Sequence, residues 1–341
     1  MRIAMFDQME NPGVSLGEFY RNHLKMIQTA DSAGFWCYFK SEHHVSPLDV
    51  APSTNVWLTV VAHATTSIRI GSLVYLLPFH HPLRLVEEVA ILDHLSGGRV
   101  EMGVGRGIAP PEHQMWHLDA AKARQTYTES LVVMRAAMAL EGDDRLSLDT
   151  ANWSFDHVPI EIRPLQRPHP PIWYPGNLAH AAEMGFNTVV GGSAEVAPSA
   201  VAAFRKMRAE SAVRLDVEPS IGGAIRVYLA ENEADAVATA RRSWTPFAAR
   251  ISRVFAEAGI TELPNDPAAG GDFDAAVGRG LVLAGTPQQL SDRLRQLAAA
   301  GIDPAILNFS WGDLSHDDVM GSLRLFIEAV MPAAVRFGEA A

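Results

Sequence analysis

Three short stretches of the sequence gather residue types able to do chemistry. Glu42-His43-His44 joins a carboxylate to two imidazoles, groups that act as acid, base or metal ligand near neutral pH. Neighbours on an extended chain point to opposite faces, so His43 and His44 are not expected to hold one metal together. One buried, satisfied histidine beside a surface one is the plainer reading of the pair. Gly103-Val104-Gly105-Arg106-Gly107 sets an arginine among glycines. Glycine lets the backbone approach a ligand, and a guanidinium grips a phosphate with two parallel hydrogen bonds. The same residues also read as a turn whose arginine pairs with a surface carboxylate. The stretch lacks Gly-x-Gly-x-x-Gly spacing, and Pro110 and Pro111 follow where a Rossmann helix should be under way. His80 and His81 precede Pro82 in a strand-to-helix turn, where a plain turn residue is the simpler reading and one of them reaching the site is the alternative. His113 and His117 stand four apart, but no Glu follows His113, and the two prolines make a poor helix start. Both read as surface or loop residues. No Gly-x-Ser-x-Gly elbow occurs.

The elements that must position these groups are short apolar runs alternating with longer helical patterns. Strands are expected at 2–6, 35–39, 68–77, 100–104, 171–174, 188–190, 224–230 and 305–309. Helices are expected between them, the first from a Ser15/Glu18 capping box to Gly34. Leu146–Leu165 reads as a hairpin inserted near 146–165, and Gly259–Gly280 as a loop, giving a loop insertion near 259–284. Strand–helix repetition without a composition break favours an α/β fold of the (β/α)8 TIM-barrel type over a doubly wound sheet. It covers residues 1–341 as one domain. In such a barrel ligands bind where the strands end, and there the polar and glycine-rich residues gather.

Composition narrows the function. With 28 basic and 39 acidic residues the chain carries a net charge of −11 and lacks the field nucleic acids require. A single cysteine, Cys37, excludes a disulfide framework and a cysteine zinc site. No signal peptide and no apolar run long enough to cross a bilayer is visible, so a cytoplasmic protein is expected without membrane or nucleic-acid partners.

The ordered motifs together are more specific than any one of them. Glu42-His43-His44, the run GSLVYLLPFHHP from Gly71, and PLRLVEEVAILDHLSGGRVEMGVGR from Pro82 to Arg106 stand at consistent spacing. Gly285-Thr286-Pro287 and Met331-Pro332 follow. On these the chain resembles the bacterial-luciferase-like family of flavin-dependent monooxygenases over nearly its whole length. The resemblance implies reduced FMN bound at the carboxyl ends of the strands of a (β/α)8 barrel. Arg106 would hold its phosphate, and Leu73-Val74, in a bulge with a non-prolyl cis peptide, and Gly105 would lie beside the flavin. Gly176 and Asn177 stand where the luciferase has an acidic-serine turn. His43 would be the catalytic histidine with His44 beside it.

The implied reaction is oxygenation by O2, through a flavin 4a-hydroperoxide, of a hydrophobic organic substrate such as an aldehyde or ketone. It also implies a two-component system, with a separate flavin reductase supplying the reduced flavin, and a homodimer. Two alternatives stay open: a deazaflavin-dependent oxidoreductase, and a non-catalytic flavin-binding protein on the same barrel. A metal-dependent hydrolase does not fit, for want of clustered strand-end carboxylates.

Overall fold

Each strand begins where a β-branched or aromatic run replaces a helical apolar period. The computed structural model describes residues 1–107, 109–256 and 271–338, and of Pro110 only the backbone. The chain runs β1 (Ile3–Asp7), α1 (Leu16–Ala33), β2 (Cys37–Lys40), α2 (Thr54–Ala64), β3 (Arg69–Leu76), α3 (Pro82–Ser96), β4 (Val100–Gly105), α4 (Pro110–Met115) and α5 (Ala123–Ala139). The hairpin β5 (Arg145–Asp149) and β6 (Ser154–Pro159) follows, antiparallel and apart from the main sheet. Then come β7 (Ile172–Trp173), α6 (Leu178–Met184), β8 (Thr188–Gly191), α7 (Ala197–Glu210), β9 (Ile221–Leu229) and α8 (Glu233–Ala256). The chain ends with α9 (Phe273–Gly278), β10 (Val282–Gly285), α10 (Pro287–Ala300), β11 (Ala305–Asn308), α11 (His316–Ala329) and α12 (Met331–Ala334).

The main sheet is parallel, in the order β10-β9-β11-β1-β2-β3-β4-β7, with β8 also on β9. The free flanks of β7 and β8 meet at a parallel bridge between Trp173 and Asn187. Asn187 N–H donates to Ile172 O at 2.9 Å, and Tyr174 N–H donates to Asn187 O at 2.8 Å. Alternation along each strand sorts side chains into two layers. Ile3 and Met5 of β1 pack in the large outer core, while Ala4 joins Cys37, Phe39, Trp173 and Ile306 in a small inner cluster.

Three expectations are corrected. The loop read at Gly259–Gly280, and the insertion near 259–284, lie up to residue 270 outside the described residues. The remainder is ordered secondary structure. Asp272 caps α9 by accepting from Ala275 N–H, and β10 pairs with β9 beyond the stretch that β8 occupies. At four residues, β10 is too short to show a period. The second correction is at Pro110 and Pro111, which begin a helix rather than prevent one. At the first turn a proline's missing N–H has no helical acceptor to lose. His113 on that helix is accordingly buried, while His117 beyond it is exposed. Third, the last helix, expected over 319–335, breaks after Ala329 because Pro332 starts a new one.

Candidate active site

The loop leaving β2 carries the histidine pair, and buried charges pin it. Lys40 Nζ donates to Asp49 Oδ2 and to the Ser41 carbonyl, each at 2.6 Å, with both charged side chains fully buried. Asp49 also accepts from Ala51 N–H at 2.7 Å and His43 N–H at 3.3 Å, so the loop folds back around its own anchor.

His43 and His44 then turn to different carboxylates. Glu42 Oε1 accepts from Nε2 of His44 at 2.9 Å and of His80 at 2.8 Å, and its Oε2 accepts from Leu76 N–H at 3.2 Å. Burial favours the neutral acid, yet the bonds and charges of His44 and His80 outweigh it and hold the Glu42 carboxyl down at about 2. Glu112, reaching in from α4, accepts on Oε1 from His43 Nδ1 at 3.1 Å and from His44 N–H at 2.9 Å.

An ionised carboxylate only accepts, so neutral His43 carries its proton on Nδ1 and keeps a lone pair on Nε2. That Nε2 has no hydrogen-bond partner among the described residues, and the side chain is 22% exposed. Burial pulls the His43 pKa down, but the bond to Glu112 and the Glu112 charge more than reverse this and raise it. The result is an oriented imidazole with one nitrogen open to a bound molecule.

Beside this cluster β3 is irregular. Its register against β4 slips between Ser72 and Tyr75, and the Leu73–Val74 peptide there is cis. Leu73 packs against the inner cluster. Gly105 has a packing reason of its own: a Cβ there would stand 2.5 Å from Val74 Cγ2. Gly107, at φ +75°, turns the chain immediately after Arg106.

Arg106 opens onto a separate cleft of about 270 Å³, lined also by Arg124, Tyr127, Tyr174, Asn177, His180 and one carboxylate, Glu183. Neither Arg106 nor Arg124 has a carboxylate or hydrogen-bond partner for its guanidinium among the described residues. Asn177 caps α6, its Oδ1 accepting from His180 N–H at 2.9 Å, which leaves Nδ2 as its free donor. Gly176, at φ +132°, makes the bend before it. Burial holds His180 below the usual histidine range, so neutralising an anion here falls to the two arginines.

The structure therefore brings Arg106 and Asn177 to one cleft, and His43, His44 and Glu42 to another cluster on β2 and β3. Glu112 and Arg124 are not singled out by the sequence, and of the two turn histidines before Pro82 it is His80 that reaches the cluster. Glu112 and His113 were hidden by the mistaken reading of Pro110-Pro111. Arg124 sits in the first turn of a helix, where charge is ordinary. Among the described residues no group of His, Cys, Asp and Glu is arranged to hold a metal ion. No described helix is long and apolar enough to cross a membrane.

The model of the luciferase-like monooxygenase family matches residues 1–304, and the chain belongs to that family. It is 32% identical over 323 residues to protein y4wF of Sinorhizobium fredii, covering 93% of this chain and 92% of that one. It is 27% identical over 359 residues to the oxygenase component of flavin-dependent trigonelline monooxygenase of Acinetobacter baylyi, covering 98% and 95%. Among solved structures, monooxygenase RslO1 of Streptomyces bottropensis superposes with a TM-score of 0.82 at 24% identity, over 98% of this chain and 99% of that one. The oxygenating constituent of 3,6-diketocamphane monooxygenase of Pseudomonas putida, in complex with FMN, gives 0.74 at 19%, over 97% and 98%. An F420-dependent secondary alcohol dehydrogenase gives 0.74 at 16%, over 98% of each chain. These three share the fold, which is the luciferase-like α/β barrel architecture.

Proposed function

We propose that this chain is the oxygenase half of a two-component monooxygenase, using reduced FMN and O2 to oxygenate a small hydrophobic substrate, with a separate reductase supplying the flavin. The observation that carries the reading is the pairing of a cleft with two arginines and one carboxylate, neither arginine ion-paired among the described residues, with an oriented, half-free imidazole at His43. The residues fit the cofactor. A phosphate dianion would meet two guanidiniums that form no ion pair among the described residues, with the Glu183 carboxylate also on the cleft wall, and Asn177 Nδ2 adds a donor. Bound reduced FMN supplies the electrons and the centre at which oxygen reacts.

The protein does the rest. Arg106 and Arg124 fix the phosphate end. The Leu73–Val74 bulge and the inner apolar cluster wall off water. His43 Nε2 takes or gives a proton at the reacting oxygen while Glu112 holds Nδ1–H and the ring plane. His44 gives its Nε2 to Glu42 and its backbone N–H to Glu112, and with the less exposed side chain, 13% against 22%, it serves to hold the loop rather than to react. The named activity of the Acinetobacter baylyi relative supports the two-component part.

The test is anaerobic titration with reduced FMN and, separately, with a reduced deazaflavin, followed by oxygen addition with a panel of aldehydes and ketones. Tighter binding of FMN and an oxygenated product are expected. Oxygen uptake that yields only hydrogen peroxide for every substrate would sink the oxygenase reading. The F420-dependent neighbours favour one second reading, a deazaflavin oxidoreductase, and binding of the deazaflavin alone would select it.

A further inference from the structure

A cavity of about 330 Å³ lies where the strands begin, at the opposite end from His43 and Arg106. Glu101, the second residue of β4, is on its wall, whereas Arg106 follows the last residue of that strand. Five residues of extended chain separate the two, about 16 Å. Trp36, just before β2, gives the cavity an aromatic wall, and Met184, Phe186 and Leu215 add apolar surface. Trp36 meets Trp173 at 6.0 Å between ring centroids. On the rim two aliphatic side chains stand open, Leu215 at 39% and Val217 at 81% exposure.

Five ionisable side chains line this cavity: Arg2, Glu101, Arg135, His169 and Glu218. Arg2 pairs with Asp303 at 2.8 Å and lies over the Trp36 ring at 4.4 Å. Glu101 is held by Arg69 and accepts from Trp173 Nε1 at 2.6 Å. Glu218 reaches Arg208 at 3.4 Å. His169 Nδ1–H donates to the Pro170 carbonyl at 2.9 Å, and burial, with the Arg135 charge, holds the ring below the usual histidine range. Neutral His169 therefore keeps a lone pair on Nε2. Arg135 differs from the other charges. Among the described residues its guanidinium has no ion pair and no hydrogen bond, only the Phe186 ring at 5.6 Å. Asn187, next to Phe186, accepts on Oδ1 from Ser220 N–H at 2.8 Å, which leaves Nδ2 as a donor.

We propose that this cavity is a second ligand site, for a small hydroxylated aromatic carboxylate, with Arg135 and Asn187 taking the carboxylate and His169 Nε2 accepting from the hydroxyl. A guanidinium without a partner gains two parallel hydrogen bonds from a carboxylate. Aromatic walls favour a ring over an aliphatic body of the same size. The His169 lone pair opposes a bare carboxylate oxygen and suits an O–H group. The volume is at the low end for small-molecule sites, which fits a single ring. The site shares no residue with the Arg106 cleft or the His43 cluster, so its ligand is not the molecule that reacts there, and the inference does not depend on the monooxygenase reading.

The probes are the three monohydroxybenzoates, their amides, benzoate, and cyclohexanecarboxylate as the non-aromatic acid. Dissociation constants are measured by isothermal titration calorimetry on the full chain near neutral pH. The best hydroxybenzoate is expected to bind wild type about tenfold more tightly than its own amide, the low end of what a hydrogen bond to a charged group contributes. It should also bind more tightly than benzoate and cyclohexanecarboxylate. Arg135→Gln should erase the preference for acid over amide, and Arg135→Lys should restore part of it. His169→Phe should erase the preference for the hydroxyl. Arg106 could hold the same acids, so Arg106→Ala is titrated beside these and should leave the affinity unchanged. Equal affinity of wild type for acid and amide overturns the proposal, as does cyclohexanecarboxylate binding as tightly as the best aromatic acid. So does a preference for the acid that survives in Arg135→Gln, or binding that is lost in Arg106→Ala. The wild-type and Arg106→Ala titrations decide the matter even if an Arg135 variant fails to fold.

Discussion

Two neighbouring regions at the strand ends handle charge in opposite ways. After β2 and β3, ionisable groups are matched within the protein: Lys40 with Asp49, His44 and His80 with Glu42, His43 with Glu112. One strand further round, after β4, Arg106 and Arg124 face a cleft whose one carboxylate, Glu183, forms no ion pair with either. A matched, buried network is stiff and fixes tautomers before anything binds. An unmatched pair of guanidiniums remains solvated and gains its partner only with an anion. The first region is thus built for chemistry and the second for capture, and substitutions should separate the two.

The largest separation is expected from His43→Ala. Product formation should fall about 10²- to 10⁴-fold, the usual worth of a general acid–base group, with FMN affinity nearly unchanged. Single-turnover product yield beside an FMN titration checks it, and an equal loss in both would merge the two regions. Glu42→Gln comes next, and its effect is on stability. Moving a buried carboxyl from 4.5 to about 2 corresponds to roughly 3 kcal/mol by linkage. Because the folded pKa is depressed, that stabilisation is present above pH 4.5 and is lost as pH falls towards 2. Urea unfolding across this range should show a slope in wild type that is shallower in Glu42→Gln, where Asp31, held down at about 2, still titrates, and the variant's stability is lower at pH 7.

Arg106→Ala should raise the FMN dissociation constant by about 10- to 100-fold, and Arg124→Ala by less, with riboflavin binding unaffected in either. If riboflavin weakens equally, the cleft does not hold the phosphate. The smallest effect is a shift in pH dependence. Glu112 raises the His43 pKa, so Glu112→Gln should move the acid limb of the activity profile to lower pH. An unmoved profile would mean that His43 does not set that limb.

Much of the architecture was legible because strands and helices leave different apolar periods, and the eight strands of the ring stand close to where their runs predict. Arg106 and His43 stood out through their flanking glycines and carboxylate. Glu112 did not, because helix α4 starts with two prolines that read as a break. Arg124 did not either, since an arginine in a helix's first turn is commonplace in any sequence.

Sequence alone determined the alternating pattern, the family resemblance and the types of group available, because these depend on local period and motif spacing. Only the tertiary structure decided which carboxylate each histidine meets and which arginines pair with none. Those are questions of what lies across space from residues far apart in the chain: Glu112 is 69 positions from His43 and turns to it only because α4 folds back over the end of β2.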